Sequence, residues 1–529
     1  MSDLEISKQA ARWLSRASYG LNLRLVKQFL ALGSNDAQRW AAFLKEQLFS
    51  ESFSDRDTEA KIQSLSTSTL QKSLPELWAS HFLASRKKSM EKVVDVAMLM
   101  TAQQEKQNRK ARRELALEPV LDLEIATWLR IAESPFQIFE RMVEFWHDHF
   151  NVFGYEGRVA PAMVALNRDV IRVHALGNFR QLLGAVCKNP AMLVYLDNAF
   201  NQSGNPNENF ARELFELHTL GAENYIGTVD RSRVEKDKQG RTAGYVDGDV
   251  YEAARAFTGW RVEDGTGGLT ANTGQFFYSE NWHDRFQKII LGQSLPEHQA
   301  AMKDGETVLD MLSAHPGTAR FMSRKLCRRF VSDQPSNKLV ERIADTFLRQ
   351  KDSSHQIRDV LMDIFNSEEF FSEGSQKFKR PVDFFANVIR VGSKKFEPTE
   401  RFIGGYQRAG QRLFGWRTPD GPPDVASPWQ SPQSLIERWR FAQQMIQGQI
   451  PGCEIDLGPL TEPVVPARIV DVLQTQVFGF RITDSLKAQL LKTAAGGRRV
   501  DSELPTSLVR ERVGRTLELA MMSPEFQLR

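Results

Sequence analysis

The segment Asn205-Pro-Asn-Glu-Asn-Phe-Ala-Arg-Glu-Leu-Phe-Glu-Leu-His-Thr-Leu-Gly221 constrains the fold most, because it reads as one capped helix with few purely solvent-facing sides. Asn205 suits the N-cap and Pro206 the first helical position, Glu208 stands where a capping box wants an acid, and Gly221 supplies the stop. Helical spacing puts Asn209, Glu213 and Glu216 on one stripe with Arg212 beside it. Ala211, Leu214 and His218 form a second stripe, Phe210 and Leu217 a third. A helix ringed by apolar residues yet holding two acids, an arginine and a histidine must pair those charges or bind something with them, since unpaired buried charge costs several kcal/mol or neutralises.

The rest of the chain reads as mainly α. Apolar residues recur at helical spacing early on, as in Trp13, Leu14 and Ala17 or Trp40, Phe43, Leu44 and Leu48, and strand-like alternation is scarce. The expected architecture is a multi-helix globular protein with long irregular excursions and short hairpins. Three regions are expected: residues 1–125, helical with a charged helix or arm around Gln103 to Glu114; residues 126–380, helical with the polar site; and residues 381–529, helical again. Glycines punctuate residues 222–285, which read as an excursion interrupted by a helix at Asp249 to Thr258. Residues 404–432 hold the glycines and prolines that exclude a continuous helix, with Trp416 and Trp429 as apolar anchors. Both segments are expected to frame the access side of the polar site.

Upstream, Glu140-Arg-Met-Val-Glu-Phe-Trp-His-Asp-His-Phe-Asn151 places Glu144 and His147 three apart on one helix face, an E-x-x-H pair of the kind that helical carboxylate proteins use to hold metals. Glu213 and Glu216 would complete a ligand set suited to a divalent ion such as zinc, manganese, iron or calcium. His149, two residues from His147, points elsewhere on a continuous helix, and it and His218 are the candidate proton carriers. For every one of these residues a salt bridge or a packed, hydrogen-bonded role is the competing reading. No Walker A sequence, G-x-G-x-x-G, G-x-S-x-G, H-E-x-x-H or EF-hand loop is present, so ordinary nucleotide, hydride and serine-esterase chemistry has no motif to stand on.

Phe145-Trp-His-Asp-His-Phe-Asn151, the Asn205 to Gly221 segment, Asp249-Val-Tyr-Glu-Ala-Ala-Arg-Ala-Phe-Thr-Gly-Trp260 and Pro419-Asp-Gly-Pro-Pro-Asp424 resemble, in that order, the bacterial family of the domain of unknown function 1800. Ala11 to Gly20 and Trp429 to Ala442 resemble its two ends, so the likeness covers most of the chain. It implies a large helical bacterial protein, often encoded beside a partner that resembles the alkaline phosphatase and sulfatase superfamily. Relatives commonly begin with an export signal. Met1-Ser-Asp-Leu-Glu-Ile has neither a basic nor an apolar leader region, which predicts a cytoplasmic location.

Charge and cysteine usage narrow the class further. The 69 basic and 66 acidic residues leave a net charge of +3, which excludes a dedicated polyanion coat. Cys187, Cys327 and Cys453 stand far apart and form no local thiolate metal site. No run reaches the ~18 to 20 apolar residues of a spanning helix, so a soluble or peripheral protein is expected. Two functions fit these observations: a metal-dependent enzyme, or a noncatalytic assembly or maturation factor for the adjacent enzyme in which the charged cluster is purely structural.

Overall fold

A computed structural model describes residues 6–65, 68–86, 102–237, 240–372, 377–455 and 464–529. The chain is mainly α-helical, as its periodicity predicts, and the strands form four separate two-stranded pairs among the described residues. Part of the charged stretch after Ser85, residues 87–101, lies outside the described residues; the rest opens the helix α2 (Ala102–Glu133), whose first turns are exposed. Among the described residues no helix is long and apolar enough to cross a membrane.

The helices that position the site follow from their end signals. Helix α1 (Lys8–Ala17) starts at Ser7, whose side chain accepts from the Ala10 N–H. Helix α3 (Gln137–His149) buries its apolar and most of its polar side chains, and a helix apolar on so many sides belongs at the centre of a bundle. Helix α4 (Asn209–Glu213) runs directly into a π-helical stretch, Leu214–Thr219. Helix α5 (Asp247–Ala256) leads into the hairpin of β3 (Trp260–Asp264) and β4 (Asn272–Tyr278), and α6 (Pro316–Phe330) begins with Pro316 after the cap His315. Helix α7 (Pro381–Gly392) begins with Pro381 after Arg380, and Asp383 accepts from the Arg380 N–H at 3.1 Å. Helices α8 (Pro432–Ile446), α9 (Asp484–Ala495) and α10 (Thr506–Met522) build the C-terminal part.

The strand pairs are β1 (Tyr225–Gly227) parallel to β2 (Tyr245–Val246), and the antiparallel pairs β3 (Trp260–Asp264) with β4 (Asn272–Tyr278), β5 (Lys288–Ile290) with β6 (Gln293–Leu295), and β7 (Ser393–Phe396) with β8 (Cys453–Ile455). Two of these pairs, β1 with β2 and β3 with β4, lie wholly within residues 222–285, and the antiparallel β3–β4 pair is a short hairpin of the kind expected there; β5 and β6 follow just beyond it. One contiguous apolar core runs from Ile6 to Phe526 and takes in residues from all three regions read in the sequence.

The capped-helix reading of 205–221 needs correction at its start. Asn205 pairs with Gln202 in an isolated bridge, Pro206 lies outside the helix, and Asn207 accepts from the Asn209 N–H at 2.9 Å. The asparagine two residues later wins because its side chain mimics a backbone turn. The stop is as expected: Gly221 has φ +88, and its N–H donates to the Phe215 carbonyl at 3.1 Å.

Candidate functional site

The central polar cluster is built where α3 meets α6, α7 and the loop after Gly421. Glu144 accepts from Arg380 Nη2 at 2.6 Å through one oxygen and from the Tyr19 hydroxyl at 2.7 Å through the other. Asp148, one turn on, takes Arg329 Nη2 and Arg380 Nη1 on the same oxygen, each at 2.7 Å. Arg329 Nε lies 2.7 Å from Asp424 Oδ2, an ion pair without hydrogen-bond angles. Asp383 receives Arg141 Nη1 at 2.8 Å and the Arg380 backbone. The side chains of Glu144, Arg141, Arg329, Arg380 and Asp383 are each at most 2 % exposed. This is a buried ion network tying four parts of the chain together.

The network sets the charge states. Burial, then repulsion from Asp148 and Asp383, raises the Glu144 pKa against the pull of Arg380 and Arg329. For Asp383 burial acts upward too, but Arg141, Arg380 and Arg329 win and bring it down to about 2. Asp424 is likewise held well below the usual carboxylate range by Arg329, Lys377 and Arg380, against its burial.

Glu144 and His147 share a helix face yet have different partners. His147 sits 2.9 Å from Asn167 Nδ2 through its Nε2 and packs edge-on against Phe414, ring centroids 4.9 Å apart. Burial, then the Arg172 guanidinium, takes its pKa down to about 3. Asn167 Nδ2 can only donate, so His147 Nε2 carries the lone pair. Glu140, a turn earlier, is clamped by Arg172 through two bonds of 2.8 Å.

His149 points away from His147, as the spacing predicts, and meets the second polar segment. Its Nε2 lies 3.1 Å from the His218 carbonyl oxygen. A carbonyl only accepts, so Nε2 bears the proton and Nδ1 the lone pair; Nδ1 is buried with no hydrogen-bond partner among the described residues. The two imidazole centroids are 6.1 Å apart, and His218 Nε2 is also buried and unpartnered there. Both rings are neutral: burial, then Lys325, lowers His149 well below the ordinary value and brings His218 to about 3. Lys325 follows Phe321 by one turn of α6 and precedes Arg329 by another, and its ammonium stands 5.3 Å over the Phe321 ring. Burial pushes it down to about 8 against the pull of Asp148 and Asp424.

Glu213 and Glu216 are half-buried on the stretch that carries His218. Arg212, beside them, is spent on Glu208 at 3.0 Å and Asp247 at 3.2 Å. Burial, then Glu216, with Asp420 adding to it, raises the Glu213 carboxyl. Among the described residues no group of three or more His, Cys, Asp or Glu side chains is placed to hold a metal ion.

Residues 404–432 pass over the end of α3. Asn151 Nδ2 donates to the Trp416 and Thr418 carbonyls at 3.0 and 2.8 Å, and Gly154 N–H to the Phe414 carbonyl at 2.8 Å. The aromatic against His147 is Phe414; Trp416 and Trp429 pack on each other at 6.2 Å. In the other excursion Trp260 is fully buried in the core, and His283 serves Thr258 and Asp304. Gly421 has φ +73, and a Cβ there would stand 2.0 Å from the Asp148 backbone oxygen. Gly421→Ala is therefore expected to unseat the loop carrying Asp420 and Asp424 and to lower the unfolding free energy by about 2 kcal/mol or more, read by thermal unfolding. A melt within a degree of wild type would mean the loop contributes nothing to holding α3.

Sequence reading missed Lys325, Arg329, Arg380, Asp383 and Asp424. A signal existed for most of them. Arg380-Pro-Val-Asp383 is a helix start with an acid at the third position, and Phe321, Lys325 and Arg329 recur at four-residue spacing on one face.

A search of curated proteins and a search of solved structures each found no match. The family described as "Protein of unknown function (DUF1800)" matches residues 12–528, and the chain belongs to that family.

Proposed function

We propose that the chain is an enzyme that moves protons on a small oxyanion-bearing substrate, with His149 and His218 as the proton carriers and Lys325 as the charge that draws the substrate in. The observation that supports this most is the pairing of two buried neutral imidazoles, each with an unpartnered ring nitrogen, beside an ammonium with no ion pair or hydrogen bond to any described residue. Buried polar atoms are ordinarily satisfied, and exceptions gather where a ligand completes the set. His149 Nδ1 offers a lone pair, the requirement for a general base. Glu213 and Glu216, on the stretch that carries His218, are carboxylates without an ion partner among the described residues. A divalent ion of the zinc, manganese, iron or calcium class remains part of the proposal only at those two acids. Glu144 gives both oxygens to Arg380 and Tyr19, and His147 gives Nε2 to Asn167. No step is assigned to a metal.

The test is a panel of chromogenic carboxylate, phosphate and sulfate esters, run on wild type, His149→Gln and Lys325→Met, with circular dichroism and metal content measured on the same preparations. Loss of a general base is expected to cost about 100-fold or more in kcat with the fold retained. Turnover that survives both substitutions unchanged would sink the reading.

A second reading, a noncatalytic assembly or maturation factor, is favoured by one observation. Exposed large apolar side chains concentrate in residues 200–289, among them Tyr225, Ile226, Tyr251, Phe286 and Ile289, with Phe286 64 % exposed. Such a concentration suits a protein partner. On this reading the partner is the neighbouring protein that resembles the alkaline phosphatase and sulfatase superfamily. Co-purification lost in Tyr251→Glu with Phe286→Glu but kept in His149→Gln would select it over the enzyme.

A further inference from the structure

A cavity lies between α1, α9 and the end of α10, and neither imidazole of the pair lines it. Its volume is about 560 Å³. Leu21, Phe478, Leu486, Leu519 and Met522 supply apolar walls. Two cations are set into those walls: Lys379, 4 % exposed, and Arg529, 5 % exposed. Lys379 donates to Asn387 Oδ1 and to the Phe526 carbonyl, both at 2.6 Å, and stands 4.3 Å over the Phe526 ring. Arg529 gives Nη2 to the Arg329 carbonyl at 3.3 Å, while its Nε and Nη1 are buried with no acceptor among the described residues.

The nearest carboxylate is already committed. Asp383 lies 3.7 Å from Arg529 Nη2 but is held by Arg141 at 2.8 Å and by the Arg380 backbone. Glu525, the one acid lining the cavity among the described residues, accepts from Thr483 Oγ1 at 2.7 Å. Lys8 and Arg12 line it as well, so cations outnumber acids by four to one there. Ligand cavities of this size are mostly apolar with a few fixed polar groups, which is the composition here.

We propose that this cavity binds a free alkyl carboxylate, its chain on the wall of Phe478, Leu486, Leu519 and Met522 and its head group at Arg529 and Lys379. The carboxylate supplies the acceptor that the Arg529 donors lack, and charge-assisted bonds in a drained site are the strong ones. Burial, against the pull of Asp383 and with repulsion from Arg438, brings Lys379 down to about 7, so an incoming anion also restores its full charge. This inference is independent of the proposed proton-transfer site and shares none of its residues.

The experiment is isothermal titration of the full chain with decanoate and with decanol. Decanoate is expected to bind one to one and at least tenfold more tightly than decanol. Leu519→Trp, which fills the cavity from a half-buried wall position, is expected to abolish binding with the melting temperature kept. Arg529→Ala is expected to bring decanoate down to the affinity of decanol. Dilauroyl phosphatidylglycerol vesicles are the arm for a membrane source, and binding to them in place of free decanoate would overturn the proposal. Equal affinity for acid and alcohol, no binding of decanoate, or binding untouched by Leu519→Trp would each overturn it too.

Discussion

Replacing Arg380 with methionine is expected to lower the unfolding free energy by about 3–5 kcal/mol. Arg380 holds Glu144 through Nη2 at 2.6 Å and Asp148 through Nη1 at 2.7 Å, with Asp383 3.4 Å from its Nε. Removing it strands carboxylates among side chains that are almost fully buried, and an uncompensated buried charge is what makes a broken pair costly. Adding Glu144→Gln to Arg380→Met should recover part of the loss, since one of the stranded charges is then gone. Urea unfolding of the wild type, the two single variants and the double variant measures this directly. If Arg380→Met costs less than about 1 kcal/mol, the value of an exposed pair, the network is not a clamp.

That clamp also explains what the sequence does and does not disclose. The helical class was legible because apolar spacing, caps and prolines are local signals: Gly221 ends its helix where the residues say, and α5 opens at Asp247, two residues before the Asp249 they indicate. His149 and His218 were legible as polar groups on neighbouring apolar helices, and the packing does bring their rings to 6.1 Å. The partner of Glu144 was not legible. A carboxylate at i and an imidazole at i+3 share a face, but which side chain arrives from elsewhere depends on contacts as distant as 236 residues, and Arg380 sits in what reads as a mere joint between regions. The offset at the start of α4 has a more local cause. Asn205-Pro206 and Asn207 offer two competing starts, and only tertiary placement chooses between them. The π-helical stretch Leu214–Thr219 then changes which residues face inward, which an ideal 3.6-residue stripe does not anticipate.

The two imidazoles carry a pH signature that separates wild type from a variant without any knowledge of substrate. His218 is 1 % exposed, and its pKa falls from the ordinary 6.5 to about 3 through burial and the Lys325 charge. The unfolded chain therefore binds a proton that the folded chain refuses between those two values. Stability is fully present above about pH 6.5 and is lost as pH falls toward 3, at about 1.4 kcal/mol per pH unit for one such group. Across the window that sums to roughly 5 kcal/mol. His149 shifts in the same direction, whereas the raised pKa values of Glu144 and Glu213 act in the opposite sense, so the absolute slope of the wild type mixes signs. The difference between wild type and His218→Leu isolates one proton. His218→Leu is expected to lose stability less steeply on acidification, by about 1.4 kcal/mol per pH unit between pH 6 and 4, and its acid-unfolding midpoint is expected to move down. Urea unfolding at half-unit pH steps reads both quantities. Parallel curves for the two proteins down to pH 4 would mean that His218 protonates in the folded state at its ordinary pH, and the picture of a drained, neutral imidazole pair would fail with it.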